Sequence, residues 1–270
     1  MKILYMSDLH LEINGNRVLP EKFEDADMLI VAGDLIAVNS LRENRTDVIS
    51  RTIKKAFQQF KRLITNYHKV IIVAGNHEHY HNNFNNTISN LKTAFADCPN
   101  VEVLSNSMTS VGETLFFGAT FWTNFGNHNP VSMNAIHYGM NDYHLIYAND
   151  NKYPIEPEFT YNQHLETMRI LRTTCEHNKD QPIVIVGHHA PSAQSLNLEH
   201  SGNSLDDGYY SDLSEFILDN PNIKLWFHGH CHMNTDYKIG KTRILSNQAG
   251  YHMEQSFAKF RRNPNAIVEI

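Results

Sequence analysis

Five short apolar runs in this chain each end in a cluster of Asp, Asn or His, and only a fold that gathers strand ends could use that pattern. Residues 2–6 lead into Ser7-Asp8-Leu9-His10, and residues 28–32 into Gly33-Asp34. Residues 70–74 lead into Gly75-Asn76-His77-Glu78, residues 183–186 into Gly187-His188-His189, and residues 223–227 into His228-Gly229-His230-Cys231-His232. Short runs rich in Val and Ile read as strands buried on both faces. In an open α/β sheet, ligands bind outside the carboxyl ends of the strands. The polar clusters therefore stand where an active site would stand.

Further strands are expected at 101–104, 115–119 and 243–245. Between 47 and 67 the residues Ile49, Ile53, Ala56, Phe57, Phe60 and Ile64 recur at helical spacing among Lys and Arg, which predicts an amphipathic helix. Weaker helical patterns cover 87–96, 158–177 and 211–218, the last with Ser211 as its N-cap. Alternating strands and helices predict an α/β layered core with much parallel pairing. The segment 122–157, rich in Asn, Tyr and His without a period, predicts loops over one edge of that core. We find no repeat or linker, so residues 1–270 are expected to form a single domain.

Spacing supplies some of the chemistry. Residues two apart in extended chain face the same side, so Asp8 with His10, and His230 with His232, could each chelate. The glycines before Asp34, Asn76, His188 and His230 fit turns that bring backbone close to an ion. Two Asp, one Asn and several His with no paired thiolates suit Mn, Fe or Zn, and such a ligand count calls for two divalent metal ions. Asp34 has two oxygens with which to bridge them. Cys98, Cys175 and Cys231 are three, and none forms a CxxC pair, which argues against a disulfide framework.

Composition excludes several function classes. A formal net charge of −6 without a basic run makes nucleic acid an unlikely partner, since phosphate backbones are bound by clustered Lys and Arg. No stretch approaches the roughly 18 apolar residues of a membrane span, and the chain enters its first motif by residue 8. A cytoplasmic protein is expected.

The motifs, in this order, resemble the calcineurin-like metallophosphoesterase superfamily, whose pattern is DxH, GD, GNH[ED], GH and GHxH. The likeness extends to SDLHLE, Phe121-Trp122-Thr123, His188-His189-Ala190-Pro191-Ser192 and Ser211-Asp212-Leu213, as in a bacterial-type, single-domain branch. It implies a four-layer α/β/β/α sandwich with two mixed β-sheets. It also implies one metal on Asp8, His10, Asp34 and His232, and the other on Asp34, Asn76, His188 and His230. His77 would be the catalytic side chain beside the substrate phosphate. His188 is taken as the ligand because it comes first after its strand, with His189 as the alternative. Relatives that continue GDxxD differ from this chain, where Leu35, Ile36 and Ala37 follow Asp34.

The activity this implies is hydrolysis of a small phosphodiester or phosphomonoester by a water activated between two metals, with His77 serving the leaving oxygen. Alternatives are a phosphoprotein phosphatase or nuclease of the same superfamily, or a non-catalytic metal-binding scaffold. A mononuclear zinc peptidase is disfavoured, because HExxH does not occur. His79 and His81 are expected to be exposed. Asn124, His137, Asp142 and His144 are secondary candidates for shaping the pocket, and Cys231, Trp122 and Trp226 are assigned to the core.

Overall fold

Two facing sheets organise the computed structural model, which describes residues 1–42, 44–148, 152–197, 202–254, 262–263 and 266–270. The first contains β1 (Lys2–Met6), β2 (Met28–Ala32), β3 (Lys69–Val73), β4 (Val101–Leu104) and β11 (Ile267–Glu269), in the order β11-β1-β2-β3-β4. The second contains β5 (Ser107–Val111), β6 (Thr114–Gly118), β7 (Ile183–Val186), β8 (Ile223–His228), β9 (Thr235–Ile239) and β10 (Thr242–Ser246), in the order β5-β6-β7-β8-β10-β9. Inner strands pair in parallel, whereas β11, β5 and β9 pair antiparallel, so both sheets are mixed.

Period-two alternation explains the layering. Ile3, Ile30, Ile71 and Val73 of the first sheet cluster with Phe116, Val184, Val186, Leu225, Phe227 and Leu245 of the second, forming the core between sheets. The alternate residues Leu4, Met6, Leu29, Val31, Val70 and Ile72 turn outward to meet Phe57 and Phe60 of α2 (Val48–Leu63) and Leu91 of α3 (Phe84–Ala94). On the far side, Leu115, Phe117, Ile185 and Trp226 pack on Met168, Leu171 and Cys175 of α7 (Pro157–His177) and on Phe216 and Ile217 of α8 (Ser214–Asp219). Each such buried Leu, Ile or Phe stabilises the fold by roughly 1.5–3 kcal/mol. The result is the expected α/β/β/α sandwich. No helix among the described residues is long and apolar enough to cross a membrane.

Three findings depart from expectation. Strands β5, β9 and β11 were not foreseen, and all three are sheet edges, where one exposed face or very short length removes the continuous apolar signature. Among its described residues, segment 122–157 holds three helices, α4 (Phe125–His128), α5 (Pro130–Gly139) and α6 (Asp142–Leu145), rather than a run of loops. α4 and α6, four residues each, are too short to show a period, ten-residue α5 buries just Ser132 and Ile136, and Trp122, Phe125, Ile136, Tyr143 and Ile146 bury against Ala37 and Tyr80 in a small core of their own. Ser211 does not cap α8: its hydroxyl accepts from the Asn124 N–H, and Leu213 occupies the cap position.

The two sheets are joined where the site lies. After β1, Ser7 bridges to Gln248, beyond the end of β10, through Ser7 N–H to Asn247 O and Ala249 N–H to Ser7 O. That link brings the carboxyl ends of β1 and β10 together.

Candidate metal centre

The segments after β1 and β2 run side by side, with Asp8 N–H on Gly33 O (3.0 Å), His10 N–H on Asp34 O (2.9 Å) and Leu11 N–H on Leu35 O (3.0 Å). The chain here is not extended. Asp8, His10, Asp34, His230 and His232 have φ of 55°, 43°, 53°, 69° and 48°, the left-handed region that costs non-glycine residues about 1–3 kcal/mol each. Such strain persists only where surrounding structure over-determines it, and here it concentrates on residues singled out as ligands. The extended-chain geometry expected for the two His-containing pairs is therefore replaced by tight turns. His230 and His232 also part company: they join different clusters.

One cluster gathers Asp8, His10 and His232, all within 4.8 Å of one another by ligand atoms. His10 Nε2 and His232 Nε2 face each other at 3.0 Å, with Asp8 Oδ1 at 3.9 and 3.6 Å from them. The Glu254 carboxylate accepts from His232 Nδ1 at 2.7 Å, so the neutral ring keeps its lone pair on Nε2, toward the cluster. The other cluster gathers Asp34, His188 and His230. His188 Nδ1 donates to Ala32 O at 2.8 Å, which leaves Nε2 facing Asn76 Oδ1 at 3.0 Å and Asp34 Oδ1 at 3.4 Å. His189 instead turns its Nδ1 to Thr120 O at 3.2 Å and packs on Trp122.

Asp34 lies between the clusters. Its Oδ1 faces His188, and its Oδ2 is 3.8 Å from His10 Nε2. Burial would raise this carboxyl, but the His188 and His77 rings beside it hold it well below the usual carboxylate range. Burial disfavours a charged His188, yet Asp34 and Asp8 outweigh it and raise the ring to about 10. The pocket thus demands positive charge among lone pairs that converge.

Buried Asp8 Oδ2 and His230 Nε2 have no hydrogen-bond partner among the described residues. Orphaned acceptors of this kind are costly unless something binds them. A donor set of carboxylate, amide and imidazole oxygens and nitrogens fits divalent metal cations.

Glycines make the approach possible. A Cβ on Gly75 would lie 2.2 Å from Asp34 Oδ1 and 2.7 Å from His188 Cε1, and one on Gly33 would lie 2.3 Å from His188 Nδ1. Glu78 then ties the loops together. Its Oε1 accepts from Leu35 N–H (2.7 Å) and Ile36 N–H (3.2 Å), and its Oε2 from Gly75 N–H (2.6 Å) and Asp34 N–H (3.0 Å). Burial and the charge of Asp34 push this carboxyl up to about 7, while two N–H donors on each oxygen leave no place for a proton and favour the ionised form.

His77 sits beside the first cluster, its ring centroid 4.3 Å from that of His10 and 4.2 Å from that of Tyr80. Its Nδ1 bonds Glu12 Oε1 at 2.8 Å, and its Nε2 lies 3.4 Å from the Tyr251 hydroxyl. Burial opposes charge on this ring, but Asp34 and Glu12 raise it to about 9. Glu12 itself is held down at about 2: burial works against it, and the His10 and His77 rings prevail.

Above these residues opens a cavity of about 590 Å³ lined by Asp34, Asn76, His77, His230 and His232 together with Met140, Leu205, Tyr209 and Tyr251. Cys231, assigned to the core from sequence, is half-buried and lines it. Of the four secondary candidates only Asp142 does so. Asn124 caps α4, His137 pairs with Glu156 at 3.0 Å, and His144 reaches Tyr138 O at 3.4 Å. His79 is buried, stacked on Phe84 and packed near Trp122, while His81 is exposed. Trp122 and Trp226 are both core.

Sequence reasoning passed over Glu12, Glu78 and Glu254. Glu12 follows His10 by two residues and Glu78 directly follows the GNH motif, so adjacency to the motifs was a usable signal for both. Glu254 had none, being 22 residues beyond its partner His232.

Comparison with known proteins agrees with this geometry. The sequence profile of the calcineurin-like phosphoesterase family matches residues 1–234. An uncharacterized protein of Acanthamoeba polyphaga mimivirus is 30% identical over 298 residues, spanning 100% of this chain and 97% of that protein. Among solved structures, phosphopantetheinyl hydrolase from Mycobacterium tuberculosis superposes with a TM-score of 0.71 at 18% identity, covering 97% of this chain and 95% of its own, a likeness of fold. With motifs, sandwich and paired His/Asp clusters in place, the chain belongs to the calcineurin-like phosphoesterase family.

Proposed function

We propose that the protein hydrolyses a small phosphodiester or phosphomonoester, with two divalent ions held by Asp8, His10, Asp34, Asn76, His188, His230 and His232. The observation that carries this reading is the division of Asp34 between clusters, one oxygen toward His188 and the other toward His10. Asp34 would thereby serve both ions. Two such ions, when bound, supply an acidified water and positive charge opposite the phosphoryl oxygens.

The chain's own residues do the rest. Glu12 anchors His77 through Nδ1 and leaves Nε2 facing the cavity. The Glu12 carboxylate on Nδ1 favours the protonated ring, whose Nε2 proton can go to the leaving oxygen. Met140, Leu205, Tyr209 and Tyr251 offer the non-phosphate part of the substrate an apolar and aromatic wall. No Lys or Arg lines the cavity among the described residues, which favours a small substrate over the many phosphates of a nucleic acid. A non-catalytic scaffold would have no use for the Glu12–His77 pair.

The test is to purify the protein without chelator, count metals by elemental analysis, and measure hydrolysis of a chromogenic monoester and diester with and without Mn²⁺. Two metals and metal-dependent turnover are expected. Two metals without turnover of either ester would favour the scaffold, and absence of metal would overturn the site.

A further inference from the structure

The amide of Asn76 is turned by a residue 66 positions away. Asn76 Nδ2 donates to Asp142 Oδ1 at 2.7 Å, and the same oxygen accepts from the Tyr80 hydroxyl at 2.7 Å. Nδ2 also reaches the Tyr80 oxygen at 3.1 Å. All three side chains are buried, and Asp142 is 2% exposed.

This arrangement decides which end of the amide faces the site. With Nδ2 on Asp142, Oδ1 points at His188 Nε2, 3.0 Å away. Rotating the amide by half a turn would place Oδ1 against the Asp142 carboxylate, setting two acceptors face to face, and would aim an NH₂ at His188. An NH₂ cannot ligate a cation, whereas the oxygen can. Against a neutral His188, the form a cation needs, the amide has reason to rotate: its NH₂ would satisfy the lone pair that the ring keeps on Nε2 by donating Nδ1–H to Ala32 O. A carboxylate acceptor behind Asn76 removes that alternative, and α6 is the element that brings it there.

We propose that Asp142 is a positioning residue for the cluster of Asp34, Asn76, His188 and His230, presetting the Asn76 oxygen as a ligand. The inference rests on the two-ion reading above. It assigns the helical segment 122–157 a task in the site: closing one of the two ion positions from behind. Among the described residues Asp142 makes no hydrogen bond or ion pair with Asp8, His10 or His232, so its effect is confined to one position.

Calorimetric titration of metal-free protein with Mn²⁺ or Zn²⁺ tests this, alongside thermal unfolding of the same metal-free samples. Wild type is expected to bind two ions. Asp142→Leu removes the acceptor and is expected to weaken one ion about 10- to 100-fold while leaving the other unchanged, the usual size of an outer-shell effect. Asp142→Asn can still present an oxygen to Asn76 Nδ2 and Tyr80, and is expected to keep both ions within about 3-fold by the same measure. Should Asp142→Leu not fold, Asp142→Ala, which has no side-chain acceptor and intrudes less, is read in its place. Equal weakening of both ions, equal behaviour of the Leu and Asn variants, or two tight ions in the Leu variant would each overturn the inference and leave the two-ion site standing. A wild type that binds fewer than two ions would overturn both.

Discussion

Replacing Glu78 by Gln probes the clamp that shapes the site while leaving every proposed ligand side chain in place. The carboxylate receives four backbone N–H groups, from Asp34, Leu35, Ile36 and Gly75, at 2.6–3.2 Å. A Gln keeps one oxygen, so two of these donors lose their acceptor and meet an NH₂ instead, whichever way the amide turns. A hydrogen bond to a charged acceptor contributes about 1.5–3 kcal/mol, so the two losses amount to roughly 3–6 kcal/mol. The neutral amide recovers part of the cost of burying a charge. We expect a net loss of about 3 kcal/mol, a large share of the roughly 5–15 kcal/mol that stabilises an ordinary domain. The assay is guanidinium unfolding of metal-free protein in chelator, which keeps ion binding from masking the effect. With a denaturant slope of about 5 kcal/mol per M, the midpoint falls by about 0.6 M. A shift under about 0.2 M at unchanged slope would refute the clamp, because the orphaned donors would then have found other partners at little cost.

Three further outcomes are expected. Gly75→Ala places a methyl 2.2 Å from Asp34 Oδ1, so elemental analysis should find metal lost from a protein whose circular dichroism is unchanged. His77→Ala should keep both ions and lose about 10²- to 10⁴-fold in turnover, the range of a general acid, with Asp34→Asn losing metal instead; full activity in the His77 variant would remove it from the mechanism. His79, lowered by burial to about 3 from an ordinary value near 6.5, binds fewer protons folded than unfolded. Its contribution is therefore complete above pH 6.5 and is lost as pH falls toward 3, at about 1.4 kcal/mol per unit. His79→Phe should accordingly lose about 2 kcal/mol less than wild type between pH 7 and 5 in chelator, and parallel losses in the two proteins would contradict a buried neutral ring.

The central strands were legible because burial on both faces demands unbroken Val, Ile, Leu and Phe. Every run proposed from sequence appears as a strand, with ends shifted by no more than a residue, as in 70–74 against Lys69–Val73. Edge strands β5 and β9 were hidden by the half-exposed patterns of Ser107–Val111 and Thr235–Ile239. In 122–157, α4 and α6 were hidden by their brevity, since four residues make barely one turn, and ten-residue α5 by its few buried positions, Ser132 and Ile136.

For the site, what the sequence by itself determined is which side chains stand at strand ends, because a polar cluster directly after a buried run has nowhere else to go. Motif spacing alone did not determine how those chains divide between two clusters, a division that only the family resemblance implied. His230 and His232 share a motif and separate because left-handed turns at 69° and 48° aim them apart, and only the packed neighbours of those turns pay for such backbone. Nor could it show Glu254 behind His232 or Asp142 behind Asn76. Ligand identity is local chemistry and is written along the chain. Which nitrogen keeps its lone pair, and which end of an amide faces a cation, depends on hydrogen bonds to distant residues, and only the tertiary structure brings those within reach.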